Sequence, residues 1–262
     1  MTEIPVRPVR QRGGRVRLLL GGVCAVVLAV TAVTVAGTAH AEADRTVTAN
    51  EQGTHNGYFF SYWKDSGNVT MTLGTAGSYR VQWASGTNNT IVGKGWNPGA
   101  RRVISYSGTW RSNGNSWLAL YGWTRNPLIE YYVVETFGTL IPTAGATRLG
   151  TIQSDGGTYD LYRSLRVNQP SIDGIATFYQ YWSVRRQKRV GGTITVGNHF
   201  DAWGQYGLQL GTHHYQILAT EAYQSSGSSA LTVSEVLGPQ PSASTPGPQP
   251  STPLPSTAEA IG

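Results

Sequence analysis

Two glutamates stand apart from the other acids of this chain. Glu130 lies in "NPLIEYYVVE" (residues 126–135) and Glu221 in "LATEAYQ" (residues 218–224), each with apolar or aromatic residues on both sides. Charged residues make up only 13% of the sequence, so a carboxylate in such a setting asks for a reason. The other acids have simpler ones: Asp65, Asp155 and Asp173 sit in Gly- and Ser-rich turn sequences, and Glu42, Asp44 and Glu259 fall near the ends. Side chains alternate along a strand, so Glu130, Tyr132 and Val134 share one face while Glu135 points to the other. By the same rule Glu221 shares a face with Tyr223. A pair of carboxyls on tyrosine-lined faces suits cleavage of a glycosidic bond, where one group is ionised and attacks while the other holds a proton for the leaving oxygen. The pattern equally fits two glutamates on solvated outer faces, and spacing alone leaves both readings open.

Other chemistries find less support. "GKGWNPG" (residues 93–99) has glycines but lacks the dinucleotide fingerprint and its strand–helix setting. No G-x-S-x-G occurs, and "QSSGSS" (residues 224–229) reads as a polar turn at a strand end. His213 and His214 are adjacent, so on a strand they face opposite ways, and no cysteine or third ligand is near. No metal and no cofactor are expected. Eight tryptophans and 14 tyrosines suit stacking on sugar rings, although aromatics also fill β cores.

The elements that hold these residues are short strands. "SYRVQWAS", "SWLALYGW", "LIEYYVVETF", "ATFYQYWSVRR" and similar runs are rich in Val, Ile, Thr, Tyr and Trp, and turn clusters separate them about every ten residues. Only "NHFDAWGQYGLQL", Asn198 to Leu210, has helical spacing. The expected fold is all-β, a single-domain jelly roll of two twisted antiparallel sheets with one α-helix. Ahead of it, residues 1–41 have a basic start, an apolar stretch and a small-x-small end at Ala39-His40-Ala41, the form of a secretory signal peptide. Removing that segment's five Arg and one Glu from 20 basic and 14 acidic residues leaves 15 and 13, a net charge of +2. That balance gives no case for nucleic acid. The sole cysteine, Cys24, also leaves with the segment, so stability must come from a core spanning residues 45–237. Residues 238–262 are Pro/Ser/Thr-rich and read as a flexible tail or linker.

"YGWTRNPLIEYYVVE" and "LATEAYQSSGSS" resemble the two signature segments of glycoside hydrolase family 11, the endo-1,4-β-xylanases. "GTHNGYFFSYWKD", "VGKGW", "SDGGTYDLY", "QPSIDG", "QYWSVRR" and "NHFDAW" follow in the family's order, so the resemblance spans essentially the whole domain. It implies a secreted, metal-free, retaining enzyme that cuts internal bonds of xylan and acts as a monomer, with no membrane association after signal removal. Glu130 matches the nucleophile and Glu221 the general acid/base. The fold implied is one twisted jelly roll with a long cleft, and "QPSIDG" matches the tip of a hairpin, the thumb, that places Pro170 against a bound xylose. Tyr121 and Tyr132 match tyrosines around the nucleophile, Arg166 and Gln180 groups that hydrogen-bond substrate, Trp63 a stacking tryptophan and Tyr215 a further cleft tyrosine. Asn89, four residues before "GKGW", matches the position beside the acid/base, where Asn goes with neutral or alkaline pH optima. Two departures are Ala222, where the family usually has Gly, and Thr90-Ile91, where large apolar residues are more usual. Ala222 is expected to face away from the cleft. The alternatives to a xylanase are a non-catalytic glycan-binding jelly roll, disfavoured because both glutamates are present, and a β-1,4-glucanase, disfavoured by the "QPSIDG" thumb.

Overall fold

The computed structural model describes residues 41–238. The expected signal segment and tail therefore lie outside the described residues, apart from Ala41 and Gly238. In chain order the first strands are β1 (Arg45–Val47), β2 (Glu51–His55), β3 (Tyr58–Lys64), β4 (Val69–Leu73), β5 (Ser78–Trp96) and β6 (Val103–Asn113). They are followed by β7 (Ser116–Arg125), β8 (Ile129–Phe137), β9 (Thr147–Ser154), β10 (Gly157–Ser171), β11 (Gly174–Arg185) and β12 (Gly191–Thr195). The helix α1 (Val196–Gln205) and the long strand β13 (Thr212–Glu235) complete the chain.

Two strands are long enough to serve two layers. The first part of β5 pairs with β4 and with the last part of β13, which in turn pairs with β6. The later part of β5 pairs with β3 and with the first part of β13, which pairs with β7. One layer therefore contains β1, β4, β6 and β12, the other β2, β3, β7, β8, β11, β10 and β9, and β5 and β13 run through both. The two expected sheets are thus one continuous, unclosed ladder. One pairing departs from antiparallel: β8 and β11 run parallel, with Glu130 opposite Gln180. The crossing points are irregular, as a change of layer requires. Gly86 has φ +92 within β5, and the β13 register shifts between Ser225 and Gly227. Glycine takes that φ without a Cβ penalty, and the extra residue of a bulge bends its strand. The "GKGW" glycines answer a different need. A Cβ on Gly93 would fall 1.9 Å from the Leu218 carbonyl oxygen, so β5 can lie this close to β13 only without one.

Alternation sorts the large side chains into two clusters. One lies between the layers and includes Phe60, Tyr62, Leu118, Leu120, Tyr131, Val133, Leu218 and Ala222. The other covers the opposite face of the second layer with Tyr121, Trp123, Tyr132, Phe178, Trp182 and Tyr215. Ala222 is fully buried in the first cluster and faces away from the second, as expected. The helix packs on the first cluster: Phe200 meets Tyr131 at 5.3 Å, His199 meets Tyr159 at 4.7 Å, and Trp203 donates to the Trp182 carbonyl. It starts two residues before the expected Asn198 and stops five before Leu210. Gly207, at φ +72, turns the chain back so that the Leu208 amide bonds the Trp203 carbonyl, leaving Tyr206 exposed. Burial lowers the His199 pKa to about 4, so this ring stays neutral inside the core.

Glu135 sits on the opposite face from Glu130 and is wholly buried. Tyr106 donates to it at 2.6 Å from β6, Tyr159 at 2.5 Å from β10, and the Arg189 guanidinium pairs with it. This one carboxylate therefore ties strands of both layers together beneath the strand of Glu130. Breaking a buried pair from one side leaves the other charge uncompensated. Glu135→Gln is expected to lose about 3 kcal/mol of stability. Thermal denaturation should show Tm lower by roughly 6–12 °C, and an unchanged Tm would contradict this role.

Candidate active site

Glu130 is placed by β8 on the aromatic face, with Trp123 of β7 and Gln180 of β11 directly across. Three neutral donors hold its carboxylate. Tyr121 and Tyr132 hydroxyls donate to Oε1 at 2.8 and 2.9 Å, and Gln180 Nε2 donates to Oε2 at 2.6 Å. Those donors are themselves fixed. Trp123 Nε1 donates to the Tyr121 oxygen, Trp182 stacks on Tyr132 with ring centres 3.9 Å apart, and Ser164 donates to Gln180 Oε1. Trp182 Nε1 donates to Ser164 in turn, which sets the Gln180 amide with its nitrogen toward Glu130.

Glu221 reaches the same face from β13, opposite Trp117 of β7 and Ile91 of β5. Trp117 Nε1 donates to its Oε2 at 3.1 Å. Both glutamates are nearly buried, at 7% and 8% exposure, but their titration differs. Burial raises the Glu130 pKa from its ordinary value, and the hydrogen bonds from Gln180, Tyr121 and Tyr132, with the charge of Arg166, hold that rise back. Glu221 is raised well above the ordinary value by burial and then by the negative charge of Glu130, with weaker opposing effects from Tyr132, Trp117 and Arg166. Desolvation and a like charge act in the same direction on Glu221, whereas hydrogen bonds to the charged form favour an ionised Glu130. Glu130 therefore ionises before Glu221, which holds its proton more tightly.

The remaining expected residues fall at several places around the two glutamates. Trp63 and Tyr215 join the aromatic face, Tyr215 lying 5.4 Å from Phe59 and 6.0 Å from Tyr121. Arg166 is exposed on β10, contacts Gln169 and acts on both glutamates through its charge. Pro170 is exposed beside the β10–β11 turn, whose Asp173 pairs with Arg125 at the end of β7. Asn89 lies two residues from Ile91 on β5 and so on the Glu221 face, with its Oδ1 buried and unpartnered. Among the described residues no hydrogen bond joins Asn89 to Glu221. Trp117, Trp182 and Ser164 were not anticipated. Alternation from Tyr121 back through Ala119 could have found Trp117, whereas Ser164 carries no signal of its own in the sequence. His213 stacks on Phe200 and His214 leans on Tyr215, so the adjacent histidines do diverge.

Two carboxyls on an aromatic face of a layered β fold, one holding its proton more tightly than the other, are the equipment of a glycoside hydrolase. The comparisons with known proteins agree. The profile of glycosyl hydrolases family 11 matches residues 55–232, and the chain belongs to that family. It is 58% identical over 196 residues to "Ethylene-inducing xylanase 1" of Botryotinia fuckeliana (strain B05.10), covering 74% of this chain and 69% of the relative. It is 61% identical over 184 residues to "Endo-1,4-beta-xylanase 11A" of Humicola insolens, covering 69% of this chain and 83% of that one. Among solved structures, one from a comparison of two major endo-1,4-beta-xylanases from Trichoderma reesei superimposes with a TM-score of 0.63 at 41% identity. It covers 67% of this chain and 97% of its own.

The raised Glu221 pKa has a consequence for stability. A carboxyl that binds its proton more tightly when folded contributes fully below its unfolded pKa, and that contribution is lost as pH rises through the higher folded pKa. Glu221→Gln removes this term. The Tm of the variant relative to the parent should therefore climb between pH 4 and pH 8. A Tm difference that stays flat across that range would contradict the assignment.

Proposed function

We propose that this chain is a secreted endo-1,4-β-xylanase that cleaves internal bonds of xylan with retention of anomeric configuration. The observation that carries the proposal is the unequal treatment of Glu130 and Glu221 on one aromatic face. Xylan as substrate is supported by the names of relatives more than half identical to this chain. Export is supported by the residue pattern of positions 1–41. No helix among the described residues is long and apolar enough to cross a membrane.

In the first displacement an oxygen of Glu130 forms a bond to the anomeric carbon while the glycosidic C–O bond breaks, and Glu221 gives its proton to the departing oxygen. Glu221, now a carboxylate, takes a proton from water. That water's oxygen attacks the anomeric carbon and frees Glu130. Retention calls for carboxyl groups about 5–5.5 Å apart. Tyr132, which donates to Glu130 and also acts on Glu221, supports such closeness. Trp63, Tyr121, Tyr132 and Tyr215 offer ring faces and hydroxyls to the sugars, Gln180 and Arg166 polar groups near the reacting carbon, and Pro170 a wall on the thumb. Asn89 offers a buried oxygen on the Glu221 face that a protonated carboxyl can donate to, and it brings no second proton to share. A pH optimum near neutral follows.

Reducing-end release from xylan and from carboxymethylcellulose, measured across pH, tests the proposal. Activity on xylan alone with a near-neutral optimum is expected, and Glu130→Gln should abolish it without loss of the cooperative melt. Glu221→Ala should lose about 10²–10⁴-fold on xylan. Comparable activity on the cellulose derivative, a clearly acidic optimum, or an active Glu130→Gln would each count against it.

A further inference from the structure

The aromatic face does not end at the glutamates. In the parallel β8–β11 pair, Val134 lies opposite Val184, four residues beyond the Glu130–Gln180 pair, which is roughly 13 Å along the strands. There a hollow of about 430 Å³ is lined by Phe137, Ile141, Arg148, Asp160, Tyr162 and Val184 together with Arg186. Val184 belongs to the aromatic-face cluster, and Phe137 and Tyr162 pack against it, so the hollow continues the same face. Tyr162 is also directly across from Trp182, the ring stacked on Tyr132.

The charge of this hollow is lopsided. Asp160 is its acid, and hydrogen bonds from Arg186 and Arg148 hold its pKa below the usual carboxylate range. Arg148 uses Nε and Nη2 on Asp160, at 3.0 and 2.5 Å, and Arg186 uses the same two atoms at 2.9 Å each. A guanidinium carries five N–H donors, so each arginine keeps further donors beyond this pairing. Both side chains are about half exposed, at 50% and 48%. Lys188 lies outside the lining, with Nζ 3.7 Å from the centre of the Phe137 ring and donating to the Phe137 and Gly138 carbonyls. Two arginines thus flank one carboxylate. Pairing for stability does not call for this excess, since exposed ion pairs contribute at most about 1 kcal/mol each.

We propose that this hollow binds the carboxylate of a uronic-acid side group carried by the polysaccharide, with Arg148 and Arg186 as its charge-assisted donors and Tyr162 as the ring beneath the sugar. The proposal rests on the polysaccharide reading above and adds a substituent preference to it. An acidic peptide would meet the same charge, but the hollow opens on the face where the sugar chain is held.

Two matched xylo-oligosaccharides test it, one bearing a uronic-acid branch and one with that branch carboxyl reduced to the alcohol. The parent enzyme should favour the acid form in kcat/KM by about five-fold, and added salt should erode that preference. The Arg148→Gln/Arg186→Gln double variant should lose the preference while cleaving the reduced form within about two-fold of the parent. Separately from turnover, glucuronate should shift the Nε–H resonances of Arg148 and Arg186 in the parent protein, and glucose should not. Equal cleavage of the two substrates by the parent, a preference that survives in the double variant, or absence of the glucuronate shifts would overturn the proposal. Failure to cut either substrate, with the shifts present, would overturn the xylanase reading and leave the hollow's specificity standing.

Discussion

The active face depends on one electrostatic constraint: two carboxyls share a nearly dry surface, and the protein solvates only one of them well. Glu130 has three neutral donors, while Glu221 has Trp117 and the negative field of Glu130. In a medium of low polarity this difference decides which group is charged. The rest of the site follows from it. Tyr121, Tyr132 and Gln180 must keep their donors aimed at Glu130, and Trp123, Trp182 and Ser164 hold them there. None of these donors is a full positive charge. An ionised arginine bound to Glu130 would also hold it ionised but would offset its charge, whereas neutral donors stabilise the charge without neutralising it. Arg166 acts at longer range, lowering the pKa of both glutamates.

The fold makes this arrangement possible by running β5 and β13 through both layers. Glu221 rides on the first part of β13, whose later part is built into the other layer against β6. Glu130 rides on β8, whose opposite face carries Glu135 into the network of Tyr106, Tyr159 and Arg189. Each of these two glutamates is thus on a strand anchored away from the candidate site. The two acids of one short stretch thus lie on opposite faces: Glu130 on the candidate site, Glu135 in the anchorage under it.

Much of this was legible in the residues, for identifiable reasons. Period-two alternation assigned Glu130 and Glu135 to opposite faces and turned Ala222 away from the site, and a sheet enforces that period whatever its curvature. Resemblance of long motifs indicated the family and paired Glu130 with Glu221 across 91 positions, which local patterning could not do. Three things were hidden. The parallel β8–β11 pairing depends on how the chain returns, not on the composition of either strand. The early end of α1 comes from the left-handed turn at Gly207, where Tyr206 and Leu210 continued a helical spacing that the backbone abandons. Ser164 and Trp182 act through Gln180, and Glu135 through partners 24 to 54 residues away, so their roles exist only once the strands are paired.

The central claim is that Glu130 and Glu221 work as nucleophile and proton donor across a single short gap. Proton NMR of a xylo-oligosaccharide digest, recorded before the products mutarotate, tests it most directly. Two successive displacements predict that the new reducing end forms first as the β-anomer and only later equilibrates. First appearance of the α-anomer would mean a single displacement by water, with the two carboxyls set wider apart, and would contradict the account.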